Sequence, residues 1–164
     1  CYVTNLTTGN GVGKNTGTPI AGIMKAPRDT VPFERITQAL GKDWSKTPVS
    51  CPQSAGYGGA MGPAQFMPAT WELYRERVSS ITGSSPPSPF NNADAFTGTS
   101  LYLKDGLTGC QSIYTTIFSQ ENCAAAKYYA GGSWRSYMRV GRYGYRVAER
   151  AADFADEIAI LDAE

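Results

Sequence analysis

Apolar residues recur at helical spacing in several stretches of this chain, each bounded by recognisable stop signals. Phe33, Ile36 and Leu40 share one face of a segment from Pro32 to Leu40, with Gly41 after it. Trp71, Tyr74, Val78 and Ile81 do the same between Pro68 and Ile81, where Pro68 suits a first helical turn and Gly83 a C-cap. Glu72, Arg75, Glu76 and Ser79 then form the wet face of that helix. Asn91 or Asn92 caps a third helix running to about Asp105, with Phe96, Thr99, Tyr102 and Leu103 inward and Asp94 complementing the dipole in its first turn. A fourth helix is expected over Ser119 to Ala130. A last long one starts near Tyr143 and carries Val147, Ala151, Phe154, Ile158 and Leu161.

No segment shows convincing two-residue alternation, and there is no internal repeat. Thr4 to Thr18 is almost entirely Thr, Asn and Gly, a loop composition. The pattern therefore predicts a mostly α fold in one domain over 1–164: a long irregular N-terminal arm plus a short helix to residue 50, then a helical core over 51–164. Ser84 to Pro89 is too short for a domain linker and is expected as a stiff connection.

The densest stretch is Gly58-Gly59-Ala60-Met61-Gly62-Pro63-Ala64-Gln65-Phe66-Met67-Pro68-Ala69-Thr70-Trp71. Its glycines permit positive φ or close backbone approach. Gln65 offers two donors and a carbonyl oxygen between apolar neighbours. Such an amide either reads sugar hydroxyls and N-acetyl groups or ties the loop to itself; sequence leaves both open.

Composition narrows the partners. Fifteen basic against 14 acidic side chains give a net charge of +1, which supplies no general pull toward nucleic acid or an anionic membrane. Arg135, Arg139, Arg142, Arg146 and Arg150 concentrate positive charge, offset by Glu149 and the acidic residues beyond; a solvated helical face is expected there, carboxylate contacts being the alternative. No apolar run reaches the roughly 20 residues that span a bilayer. Four Cys without His argue against a zinc site of mixed ligands, and an even count fits disulfides in an oxidising compartment. Cys110 with Cys123 would clip a loop before the fourth helix, and Cys1 with Cys51 would anchor the N-terminal arm; a lipid-modified Cys1 is the rival role for that residue. Asn5-Leu6-Thr7 is a glycosylation sequon on expected surface.

Three blocks in order carry a resemblance. Gly58 to Pro68 resembles the Gly-x-Met-Gly/Gln-Phe-Met-Pro block of bacterial lytic transglycosylases, lysozyme-like enzymes that cut the glycan strands of peptidoglycan. Ser88-Pro89-Phe90-Asn91-Asn92-Ala93-Asp94-Ala95-Phe96 resembles the stretch opening that family's next helix, and Lys127-Tyr128-Tyr129-Ala130-Gly131-Gly132 resembles its Ala-Tyr-Asn-Ala-Gly motif, with Tyr129 replacing the usual Asn. The likeness covers Cys51 to Phe154. It implies a lysozyme-like helical domain whose groove is lined by Met61, Gln65 and Phe66 from one wall and Tyr128 and Tyr129 from the other.

The resemblance also implies one buried Glu in a Glu-Ser setting upstream of the Gly-rich block, and no Glu here precedes a Ser. Gly11 to Thr18 resembles the region that follows the catalytic helix in one subgroup. Glu72 and Glu76 sit on a wet face, Glu34 stands beside Arg35, and Glu149, Asp153, Asp156 and Glu157 lie opposite the last apolar stripe. Glu121 is the least unsuitable, and no catalytic residue is assigned. The implied function is a lytic transglycosylase domain acting on peptidoglycan outside the cytoplasm, needing no metal or cofactor, with its acid supplied by residues before Cys1. A non-catalytic glycan-binding subunit is the alternative, and a true hydrolase a narrower one.

Overall fold

The Thr-, Asn- and Gly-rich N-terminal segment is not an irregular arm: it pairs as a small antiparallel sheet. The computed structural model describes residues 1–53 and 56–163. In it β1 (Tyr2–Asn5), β2 (Asn10–Val12) and β3 (Pro19–Ile20) lie side by side in that order. Tyr2 pairs with Val12 and Val3 with Gly11, while Gly11 and Val12 pair in turn with Ile20 and Pro19. Strands this short leave no room for an alternating pattern to declare itself. Tertiary burial supplies what local patterning lacks, since Val3, Ile23 and Met24 are wholly enclosed and Met24 N donates to Gly9 O at 3.0 Å.

The helices fall where their periodicity places them: α1 (Thr30–Ala39), α2 (Pro68–Thr82), α3 (Asn92–Gln111), α4 (Ile117–Ala130) and α5 (Tyr143–Leu161). Pro68 opens α2, and Gly83 closes it in the left-handed conformation at φ +76°. Two 3₁₀ segments, Trp44–Lys46 and Gly131–Tyr137, complete the elements. α3 runs past its expected end near Asp105 despite Gly106 and Gly109. Packing overrides propensity there: Gly106 lies against Ala124, and Cys110 is bonded to Cys123 on α4.

The chain divides into two compact units, Cys1–Thr99 and Ser100–Glu164, with α3 passing from one to the other. In the first, Phe33 and Ile36 of α1 and Trp71, Tyr74 and Val78 of α2 are buried with Met61 and Phe66. The Asp29 carboxylate, fully enclosed, pairs with Arg28 and accepts a long hydrogen bond from Ala69 N at the start of α2 (3.4 Å). In the second, Cys110, Cys123, Ala124, Ala126 and Trp134 form the core, with Leu107, Tyr114, Tyr137 and Met138 against it. α5 approaches α4 closely because Gly144 has no side chain: a Cβ there would lie 2.5 Å from the Asn122 carbonyl oxygen.

Five expected inward residues are instead open to solvent: Ile81, Phe96, Phe154, Ile158 and Leu161. A periodic stripe specifies which face of a helix is apolar, not how far along the helix a neighbour covers it. On α5 the covered part ends early: Gly144 and Ala148 are buried and Val147 and Ala151 half-buried, whereas Phe154 is 60% exposed.

Both expected disulfides are present, Cys1–Cys51 and Cys110–Cys123, with sequence separations of 50 and 13. Among the described residues no helix is long and apolar enough to cross a membrane. Asp94 does more than complement a dipole. Its buried carboxylate accepts from Ser88 N at 2.9 Å, and Asn91 Oδ1 accepts from Asp94 N at 3.2 Å, so α3 and the proline-rich turn before it share one tie. Burial works against the ionised form, but the Ser88 amide and the Thr82 and Ser84 hydroxyls outweigh it and hold Asp94 below the ordinary aspartate range.

Replacing each cystine pair by serines is expected to lower unfolding free energy by about 4 kcal/mol for Cys1/Cys51 and about 3 kcal/mol for Cys110/Cys123, the longer loop giving the larger loss. Denaturant unfolding of the two variants measures both. A group with a depressed folded pKa contributes stability above its unfolded pKa and loses it as pH falls through the folded value. Stability of the native protein should therefore drop below about pH 4. Asp94→Asn should flatten that acid limb in urea titrations run at successive pH values.

Candidate functional site

The Gly-rich block closes into a loop held at its base by two reciprocal hydrogen bonds, Met61 N to Phe66 O at 2.8 Å and Phe66 N to Met61 O at 3.1 Å. Two glycines make the closure possible. At Gly58 a Cβ would meet the Ser50 carbonyl and the Cys51 backbone. At Gly62, with φ +63°, it would overlap the Pro89 carbonyl oxygen. Met61 and Phe66 are themselves buried, at 0% and 3% exposure, and Phe66 sits edge-on to Trp71 with ring centroids 5.3 Å apart. They lie beneath the loop and set its shape.

Gln65 stands on top. It is exposed and holds a left-handed backbone at φ +56°, the only described non-glycine residue with positive φ. Its Nε2 donates to Gly62 O at 2.8 Å, and its backbone N–H reaches the same oxygen at 3.2 Å. The side chain is therefore a loop tie through one amide hydrogen, while its carbonyl oxygen has no partner among the described residues. Non-glycine residues occupy this region at a cost of roughly 1–2 kcal/mol, and such strain gathers at functional positions.

In the second unit the other two expected site residues part company. Tyr128 is half-buried and meets Tyr102 edge-on at 5.3 Å. Tyr129 points outward, 57% exposed, stacked on Tyr143 at 4.4 Å and tilted against Tyr137 at 5.0 Å. The structure thus joins Met61, Gln65 and Phe66 in one loop and sets Tyr128 and Tyr129 in two separate aromatic contacts. Burial, with Tyr129 alongside, pushes the Tyr143 phenol up, so it stays a neutral hydrogen-bond donor through the physiological range.

Sequence reasoning missed the surroundings of Tyr129. A cavity of about 560 Å³ opens there, lined by Tyr129, Tyr137 and Tyr143 with Arg142, Arg146 and Arg150. The signal was visible as a run of arginines after a tyrosine pair, but it reads equally well as a solvated face until the 3₁₀ segment brings Tyr137 against Tyr129.

The carboxylates divide by environment. Arg35 does not pair with its neighbour Glu34, which is exposed. It forks onto Glu72, Nε to Oε1 at 3.0 Å and Nη2 to Oε2 at 2.5 Å, and this partner raises the guanidinium pKa. Glu72 is accordingly half-buried rather than on a wet face. Glu76, exposed, lines a cavity of about 300 Å³ with Arg75, Ser79, Ile36 and Trp71. Glu121 is half-buried beside Lys104 in a smaller apolar cavity of about 240 Å³ with Leu103, Leu107 and Val147. Among the described residues the two buried carboxylates, Asp29 and Asp94, are each engaged at a helix start. No cluster of His, Cys, Asp and Glu among the described residues suits a metal ion.

Compared with known proteins, the chain matches no family model, no curated sequence and no solved structure.

Gln65→Gly is expected to be more stable than Gln65→Ala by about 1 kcal/mol, because both lose the amide tie but only glycine relieves the left-handed backbone. Parallel urea unfolding curves check this. Equal stabilities would show that the loop relaxes Gln65 out of that conformation.

Proposed function

We propose that this chain is the larger part of a peptidoglycan lytic transglycosylase domain with a lysozyme-like helical fold, working outside the cytoplasm. The observation that carries the reading is the Gly-rich block: its glycines shape a closed loop at the start of α2 that holds an exposed, conformationally strained Gln65 whose carbonyl oxygen has no partner among the described residues. Such a group suits an N-acetyl N–H or a sugar hydroxyl. Met61 and Phe66, buried beneath it, support the loop. Two disulfides are compatible with an oxidising compartment.

The chemistry needs one carboxylic acid. As acid it protonates the bridging oxygen of the muramoyl β-1,4 bond; as base it then takes the C6 hydroxyl proton while O6 closes on C1, giving a 1,6-anhydro product without water. Such an acid must be un-ionised near neutral pH, which burial among apolar groups provides. Of the buried carboxylates described here, Asp29 is paired with Arg28 and Asp94 is held below the ordinary aspartate range, while Glu34 and Glu76 face solvent. We assign the acid to residues preceding Cys1. No metal or cofactor enters these steps.

The same observation supports a second reading, a glycan-binding subunit with the groove and no acid. Digestion of purified peptidoglycan, followed by mass spectrometry of the soluble fragments, separates them. The 164-residue chain should release no 1,6-anhydromuropeptides, whereas a chain extended upstream through an apolar helix ending in Glu should release them. Changing that Glu to Gln should reduce the rate at least 10²-fold, the lower range for general acid–base catalysis. Anhydro products from the short chain would place the acid within it, with Glu121 the first residue to change. Reducing-end products would identify a hydrolase. An extended chain that binds cell wall but stays inert would establish the binding subunit.

A further inference from the structure

We propose that the tyrosine- and arginine-lined cavity at the start of α5 is a binding site for a carboxylate-bearing sugar. The inference deepens the glycan reading above and rests on it. Its walls combine two kinds of surface. Tyr129 and Tyr143, stacked at 4.4 Å and 57% and 37% exposed, present a broad aromatic face, with Tyr137 beside them. Pyranose rings carry an apolar C–H face that packs on such a surface, while the phenolic hydroxyls remain free to donate to ring substituents.

Charge supplies the second part. Arg146 and Arg150 lie one turn apart on α5, Arg142 is its extended N-cap, all three line the cavity, and no acidic residue does. The five arginines of this region are not equivalent. Arg135 lies over the Trp134 ring at 4.4 Å, and Arg150 faces Asp153 at 3.7 Å. Arg142 and Arg146 make no ion pair among the described residues, although Glu149 and Asp153 border an adjoining cavity that Arg146 also lines. Two exposed guanidinium groups with no ion pair among the described residues, beside three aromatic rings, form a fork for a carboxylate at the edge of a stacking platform. A solvated face would need neither the tyrosine stack nor the concavity. The cavity volume, about 560 Å³, falls within the range of small-ligand sites. Net charge of +1 for the whole chain keeps the attraction local, which disfavours a polyanion tracking along the surface.

The test compares two probes of equal length by titration calorimetry: a tetrasaccharide of alternating N-acetylglucosamine and N-acetylmuramic acid with free lactyl carboxylates, and neutral chitotetraose. The native chain should bind the acidic probe about tenfold more tightly, as a charge-assisted fork predicts. That preference should vanish near 1 M salt, where the Debye length is about 3 Å. Arg142→Gln/Arg146→Gln should erase the preference, bringing the affinity for the acidic probe down to that for chitotetraose, with the melting temperature unchanged. Tyr129→Leu should weaken both probes alike. Arg146→Gln alone serves if the double variant melts early, and should lose part of the preference. Equal affinity of the native chain for both probes, or an arginine variant that keeps the preference, overturns the site while the glycan reading stands. Competition by inorganic phosphate at equal concentration would reduce it to a general anion site and overturn the sugar assignment. Failure of the native chain to bind either probe overturns the glycan reading and this inference with it.

Discussion

A ladder of backbone hydrogen bonds running from Cys1 to Phe66 is the constraint on which the first unit depends. Cys1 and Val49 exchange bonds at 2.8 and 2.9 Å; Ser50 then pairs with Gly59 and Ala60, and Met61 with Phe66. The Cys1–Cys51 bridge lies across the same rungs. None of these segments is a long strand, and each alone would be marginal. Together they deliver the chain into Pro68 with its direction fixed, so that α2 begins where Asp29 can accept from Ala69 N. Gln65 tolerates its left-handed backbone because the residues on either side of the loop have nowhere else to go.

The second unit is organised by size rather than by hydrogen bonding. Ala124, Ala125 and Ala126 on α4 and Gly144 on α5 keep that helix pair close, and a disulfide inside the core takes the place of larger side chains. Trp134 is the large aromatic residue of this core, while Tyr129 lies at the perimeter, stacked on Tyr143 and tilted against Tyr137. The concave aromatic surface follows from that small-residue contact.

Much of this was legible in the sequence. Helices with a clear apolar period and a chemical boundary, such as Pro68 with Gly83, were placed nearly to the residue, and both cystine pairings followed from loop lengths and composition. What escaped were features whose cause lies far along the chain. β1 to β3 are too short to have a period of their own, α3 persists through its glycines because Cys123 and Ala124 hold it, and Arg35 selects a carboxylate in another helix over the one next to it. The site shows the same division. Gln65 stood out by its setting, whereas the roles of Arg142 and Arg146 depend on which of five similar arginines are already engaged by Trp134 or Asp153.

The placement of the two cystines also determines how the chain carries tension. A pull applied at Cys1 passes through its side chain to Cys51 and bypasses residues 2–50, so the sheet and α1 lie off the loaded path. A pull arriving along α3 crosses from Cys110 to Cys123 in the same way and skips the turn between α3 and α4. What remains under load is the Gly-rich loop, α2, most of α3 and the helices after Cys123. Under such a load the parts that yield first would be those that neither cystine spans.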